Sequence, residues 1–150
     1  MKSLIEAMPS LILHRGVWEG RYRHLGRDGE LIDEHVMTTR CEFPEAGLYA
    51  YVQHNHLRWD DGRELKQSFG GVYRDGLIWW ETDRFAGYGW QTREDVVMLR
   101  LDYKDDPGLH FIEMISIATD GETRARTWQW FRNGTPFKRT LCDEWRISGE

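Results

Sequence analysis

The feature that most constrains this chain is the regular return of tight-turn signals between short segments of alternating polarity. Gly26-Arg27-Asp28-Gly29, Pro44-Glu45-Ala46-Gly47, Asp61-Gly62, Asp75-Gly76, Asp105-Asp106-Pro107-Gly108, Asp120-Gly121 and Asn133-Gly134 punctuate everything after residue 16. Asp-Gly and Asn-Gly supply the positive-φ pair that a two-residue hairpin needs, and period-2 alternation between such pairs reads as strand. No intervening stretch is long enough for the helical crossover that a parallel pair requires. Successive hairpins close most simply as an all-β, up-and-down antiparallel β-barrel of about ten strands, with a sandwich as the other solution. The strands are expected at 17–25, 30–43, 48–59, 63–73, 77–85, 87–91, 95–104, 109–118, 123–132 and 137–147. They form one domain over 1–150, with the barrel at 16–148 and a helical segment at 1–15. In that segment Leu4, Ile5, Met8, Leu11 and Ile12 make an apolar stripe broken by Pro9, suited to covering one mouth of the barrel.

A chain of 150 residues can bury a substantial core without staples, and a barrel of this strand number is wide enough for a small ligand. With a net charge of −5 and no dominant basic run, nucleic acid is not an expected partner. No apolar run is long enough to span a bilayer, and Glu6 and Pro9 interrupt the N-terminus before it resembles a signal sequence. Cys41 and Cys142 have neither CxxC nor zinc-site spacing, which suits two free thiols in a reducing cytoplasm. Eight Trp in one small domain must fill a wide interior or line a contact surface.

Turn lengths set register, and register sets faces. With Glu19, Arg21 and Arg23 outward, Trp18, Gly20, Tyr22 and His24 point in. A four-residue turn at 26–29 then places Tyr22 opposite Asp33, Gly20 opposite His35 and Trp18 opposite Met37. A turn at 44–47 sets His35 against His56 and Met37 against His54. The two-residue turn at 61–62 brings Gln67 opposite His56 and Phe69 opposite His54, and the turn at 75–76 brings Arg84 opposite Gln67 and Thr82 opposite Phe69. Glu34, Glu64, Lys66, Glu81 and Asp83 all fall outside, where charge belongs. One interior belt therefore reads Gly20, His35, His56, Gln67, Arg84, beside a layer of Trp18, Met37, His54, Phe69 and Thr82. Further on, His110, Ile112, Met114 and Ser116 are expected inside, with Arg100 and Glu113 paired outside. Thr127, Gln129 and Phe131 follow inside, then Cys142, Glu144 and Arg146. That leaves Trp128 and Trp130 outside beside Arg124 and Arg126; the opposite register would make those four an interior wall.

Gly16-Val17-Trp18 at the head of the meander resembles the opening signature of lipocalin-like (calycin) barrels, and Trp18 through Leu31 together with Trp128 through Arg146 resemble an uncharacterised family of that group. That family is similar to the phycobilin lyases and distantly to fatty-acid-binding proteins. The resemblance implies that Trp18 plugs one end of the barrel with Arg146 packed on it, and that a central cavity holds a small hydrophobic or amphipathic molecule.

Four readings of function follow. In the first, the barrel binds an amphipathic ligand through Trp18, Tyr22, Phe69, Tyr73 and Trp80, with His35, His54, His56, Gln67 and Gln129 as polar contacts. Arg84 or Arg146 would meet an acidic head group. In the second, His35, His54 and His56 are general acid–base groups of an isomerase, lyase or cyclase, a ring being oriented by Asp33 or Gln67. A third makes the same three histidines metal ligands, but His54 and His56 sit only two residues apart on one face, and neither metal nor cofactor is expected. In the fourth, an exposed Trp128–Trp130 patch joins two copies as a homodimer, which is compatible with the first.

Overall fold

A computed structural model describes residues 2–150. A helical turn, α1 (Leu4–Ala7), opens on a capping box in which Ser3 and Glu6 satisfy each other's backbone N–H groups. A 3-10 turn, Leu11–His14, follows. Ten strands come next: β1 (Gly16–Gly26), β2 (Leu31–Glu42), β3 (Tyr51–Arg58), β4 (Glu64–Arg74) and β5 (Leu77–Glu81), then β6 (Phe85–Gln91), β7 (Val97–Tyr103), β8 (Leu109–Ile117), β9 (Thr123–Arg132) and β10 (Thr135–Ser148). Each pairs antiparallel with its sequence neighbour, and β10 returns to β1, so the sheet is a closed barrel without edges. Among the described residues no helix is long and apolar enough to cross a membrane.

The registers differ from expectation at particular turns, with physical consequences. A bulge between His24 and Leu25 moves Tyr22 opposite His35 and His24 opposite Asp33, an even offset that keeps every β2 face as expected. The β2–β3 connection occupies 43–50 rather than 44–47. Met37 therefore meets Leu57 instead of His54, an odd slip of three residues. Gln53, Asn55 and Leu57 consequently face in, and His54 and His56 face out. The next turn is the three-residue loop 60–62, closed by the Trp59–Arg63 backbone bond with Gly62 at positive φ, not the two-residue loop at 61–62. This second odd slip pairs Asn55 with Gln67 and returns Gln67 and Phe69 to the interior.

The same pattern recurs later. The β7–β8 loop uses 104–108, because the Lys104 N–H donates to the Arg84 carbonyl rather than to β8. Arg100 then opposes Ile112, so Phe111, Glu113 and Ile115 point in while Met114 is exposed. β9 inherits this inversion: Arg124, Arg126, Trp128 and Trp130 are interior, and Thr127 and Gln129 are not. A bulge after Pro136, which has no N–H for the ladder, inverts parity once more and restores Cys142 and Glu144 to the inside. Trp128 and Trp130, through which a homodimer was expected, therefore face the interior of the barrel instead of presenting an outer patch.

One end of the barrel is closed by the N-terminal segment. Met8 and Leu11 pack with Trp18, Cys41, Tyr51, Ile78, Val97 and Ile115. Trp18 is wholly buried, its Nε1 donating to the His14 carbonyl at 3.0 Å. The Arg146 guanidinium lies 4.3 Å from its ring and Arg124 lies 4.5 Å from it. Arg146 also donates to the carbonyls of Leu13, Arg15 and Gly121, stitching the N-terminal segment to the β8–β9 turn. Replacing Arg146 by Met should cost about 2 kcal/mol, from the lost cation–π contact and charge-assisted bonds. A denaturant midpoint that moves no more than for Arg27→Met would disprove that closing role.

Candidate functional site

Below the plug lies a belt of buried charge. Arg124 makes a two-bonded pair with Glu144, both bonds at 3.1 Å, and its Nη1 meets His14 Nδ1 at 3.1 Å. Arg126 grips Glu113 through Nε and Nη2 and donates from Nη1 to the Tyr22 hydroxyl at 2.9 Å. The two pairs touch, Arg126 standing 3.7 Å from Glu144. None of the four charged residues is more than 4% exposed. Burial pushes the Glu113 carboxyl upward while Arg126 draws it back; burial also opposes charge on both arginines, but their carboxylate partners more than offset it. Gly20 makes room for this belt, since a Cβ there would lie 2.4 Å from the Asp143 carbonyl and 2.8 Å from Glu144 Cγ.

Above the belt the interior opens into a cavity of about 290 Å³ floored by Tyr22, Glu113 and Arg126. Its walls are largely apolar. Phe111 stacks on Trp128 with ring centroids 4.5 Å apart, and Trp130 lies 4.8 Å from Phe111. Phe69 meets Trp80 and Phe85 edge-on. Trp80 reaches across Gly71 and Gly89, where a Cβ would come within 3.0 and 2.9 Å of the indole. Leu57, Leu99 and Leu101 fill the gaps, and Gln53, Asn55 and Gln67 add amides. The Nε1 donors of Trp80 and Trp128 are buried without a partner among the described residues.

The mouth, at the end opposite the plug, carries Leu65, Tyr103, Arg84, Trp59 and a small polar cluster. The cluster consists of His24 on β1 and Asp33 and His35 on β2, on one face because His24 pairs with Asp33 and His35 lies two residues on. His24 Nδ1 is 2.7 Å from the Thr140 hydroxyl, which also accepts from Trp130 Nε1 at 2.9 Å. Asp33 accepts from Trp59 Nε1 at 3.0 Å. His35 is sandwiched between Tyr22 and His24, at 5.3 Å from each, and its Nδ1 has no partner. Burial, then the neighbouring His35, pushes His24 down to about 4, and burial lowers His35 against the pull of Asp33. Both imidazoles are neutral at pH 7.

Of the residues singled out from sequence, Tyr22, His35, Gln67, Phe69, Trp80 and Arg84 line the cavity. Arg84 does so from the 82–84 turn rather than from a strand, and it pairs with Asp105 at 3.1 Å. His54 and His56 lie on the outer surface beside Glu42 and Glu64, at 3.4 and 3.7 Å. The expected trio of histidines is therefore not assembled, either for acid–base work or for metal. Trp18 and Arg146 belong to the plug. Tyr73 also sits at that closed end, its hydroxyl donating to the Lys2 carbonyl. Gln129 faces out, 3.4 Å from the Lys138 carbonyl. Sequence reasoning placed Glu113 outside and left Arg126, Trp128 and Trp130 open between the outer face and an interior wall. The signal was the alternation Arg124-x-Arg126-x-Trp128-x-Trp130 itself, whose second register puts all four on one face.

No family profile and no curated protein matches the chain. Solved structures do. A protein of unknown function of the DUF3598 family from Nostoc punctiforme superposes with a TM-score of 0.63 at 14% identity, over 90% of this chain and 48% of that one. The present chain thus spans about half the length of the Nostoc protein. Rv2717c from Mycobacterium tuberculosis superposes with a TM-score of 0.62 at 16% identity, over 93% of this chain and 96% of that one. What these proteins share with the present chain is the fold of the barrel.

Proposed function

We propose that the barrel binds a small, predominantly apolar molecule in its interior, with the polar part of that molecule at the mouth. The observation that carries this reading is the cavity itself. It is an aromatic-walled space of about 290 Å³, near the lower end of small-molecule sites. The charge on the cavity floor is already matched, Arg126 by Glu113, as is Arg124 by Glu144 beneath it, so the depth of the site favours an uncharged body. An acidic group would be met at the mouth by Arg84, whose side chain is 58% exposed, at the expense of its bond to Asp105.

The test uses two fluorescent probes, neutral Nile red and anionic anilinonaphthalene sulfonate. Each should bind saturably at one site per chain. Leu101→Trp, which fills the cavity, should weaken both at least tenfold. Arg84→Met should weaken the anionic probe severalfold and leave Nile red unchanged. Unsaturable binding, or binding indifferent to Leu101→Trp, would defeat the reading.

A further inference from the structure

We propose that His24, Asp33 and His35 form a site for a divalent first-row transition metal at the mouth of the barrel. The inference goes beyond the ligand reading and does not depend on it, because the three residues are held by the barrel wall whatever the cavity contains.

The donor set is two imidazoles and a carboxylate, a combination that suits zinc or ferrous iron and leaves coordination positions open. One ligand atom from each residue lies within 4.8 Å of the other two. Tetrahedral coordination at zinc-like bond lengths needs about 3.3 Å between donors. The site must therefore tighten by up to about 1.5 Å, within reach of side-chain rotations of His24 and Asp33, which are not fully buried.

Each ligand also has the support that metal ligands need. With its ring proton on Nδ1, His24 donates to Thr140, and the lone pair of Nε2 is free. Thr140 is itself wholly buried and anchored by Trp130, so the imidazole is held from behind. Asp33 gives Oδ2 to the Trp59 indole, leaving Oδ1 for the metal. His35 is 5% exposed, fixed by stacking, and has a buried ring nitrogen without a partner. Lys138, seated over the Trp130 ring at 4.2 Å and close enough to His24 and Asp33 to act on both, opposes the ion. All three ligands border the cavity, so the open positions of a bound ion would be available to a chelating group on a molecule inside it.

The test is titration of chelator-treated protein with Co(II), read by its visible d–d bands, and with Zn(II), read by calorimetry. One equivalent should bind. Asp33→Asn, which keeps an acceptor for Trp59, and His24→Gln should each weaken binding by at least a hundredfold while circular dichroism shows the barrel intact. Lys138→Met should tighten it severalfold. The double variant His54→Gln, His56→Gln, altered only on the outer surface, should bind as the parent does. Absence of one-to-one binding, or binding that survives Asp33→Asn, or loss in the outer-surface variant, would each overturn the proposal. Nile red binding to the same metal-free preparation reports separately on the cavity, so either reading can fail alone.

Discussion

Replacing Arg126 by Met should lower the unfolding free energy by about 3–5 kcal/mol, a large share of what a domain of this size has to lose. The guanidinium closes a buried circuit: two bonds to Glu113, one to the Tyr22 hydroxyl, a 3.7 Å contact with Glu144, and faces against Tyr22 and Trp128 at 5.7 and 5.5 Å. Met fills part of the volume and leaves Glu113 without its counter-ion, at 1% exposure. That carboxyl is already pushed upward by burial, so in the variant it takes up a proton instead of remaining charged. The destabilisation should therefore be larger at pH 7.5 than at pH 5.5. Adding Glu113→Leu should recover most of the loss, because a buried pair replaced whole by apolar groups costs little compared with half a pair. Urea midpoints of the two variants at both pH values decide the matter. A loss below about 1 kcal/mol, or a double variant no better than the single, would mean that the belt is not an ionised network.

The dependence of that belt on three adjacent strands also explains why the fold was legible in the sequence and the site only partly so. The Asp-Gly and Asn-Gly turns, and the absence of any long connection, were enough for ten antiparallel strands, since each hairpin constrains only its two neighbours. Cavity faces require the parity of every turn before them. The misread loops at 43–50 and 60–62 inverted β3 alone, which is why His54 and His56 were expected inside while Gln67 and Phe69 were placed correctly beyond them. The five-residue loop at 104–108 and the bulge after Pro136 inverted β8 and β9 together. Glu113, Arg126, Trp128 and Trp130 were hidden by that, yet Cys142 and Glu144 were not. Neither pair of errors disturbs the outward placement of Glu64, Lys66 and Glu81 that had supported the register. The charge rule itself misled at β8 and β9. Exposure is the ordinary place for Arg and Glu, and only two such pairs facing each other across strands make the buried alternative affordable. The plug, by contrast, needed only a local motif at each end of the chain, and Trp18 meets Arg146 as expected.

Lowering the pH from 7.5 to 5 should cost the metal-free protein about 3–4 kcal/mol of stability, through histidines that the fold keeps neutral. His14 is held well below its ordinary range by burial first and by Arg124 next, and His24 is held down to about 4 by burial and by His35. His35 is lowered less specifically, by burial against the pull of Asp33. For such a group the unfolded chain binds a proton below about pH 6.5 while the folded chain does not. Its contribution is therefore complete above pH 6.5, falls as the pH drops, and levels off once the folded form also protonates, near pH 4 for His24. At pH 5 each fully silent histidine accounts for about 2 kcal/mol, less for His24 because it is partly exposed to the mouth. Glu113 acts in the opposite direction, since a raised carboxyl gains its proton in the folded chain first. Asp61 and Glu19, both lowered by hydrogen bonds to arginine, add to the loss only at more acid pH. Denaturant midpoints between pH 7.5 and 4.5 should thus give a slope approaching two protons near pH 5.5, and His24→Gln should reduce it by close to one. A stability flat from pH 7 to 5, or a slope unchanged in His24→Gln, would mean that the mouth histidine takes up its proton in the folded protein as readily as in the unfolded chain.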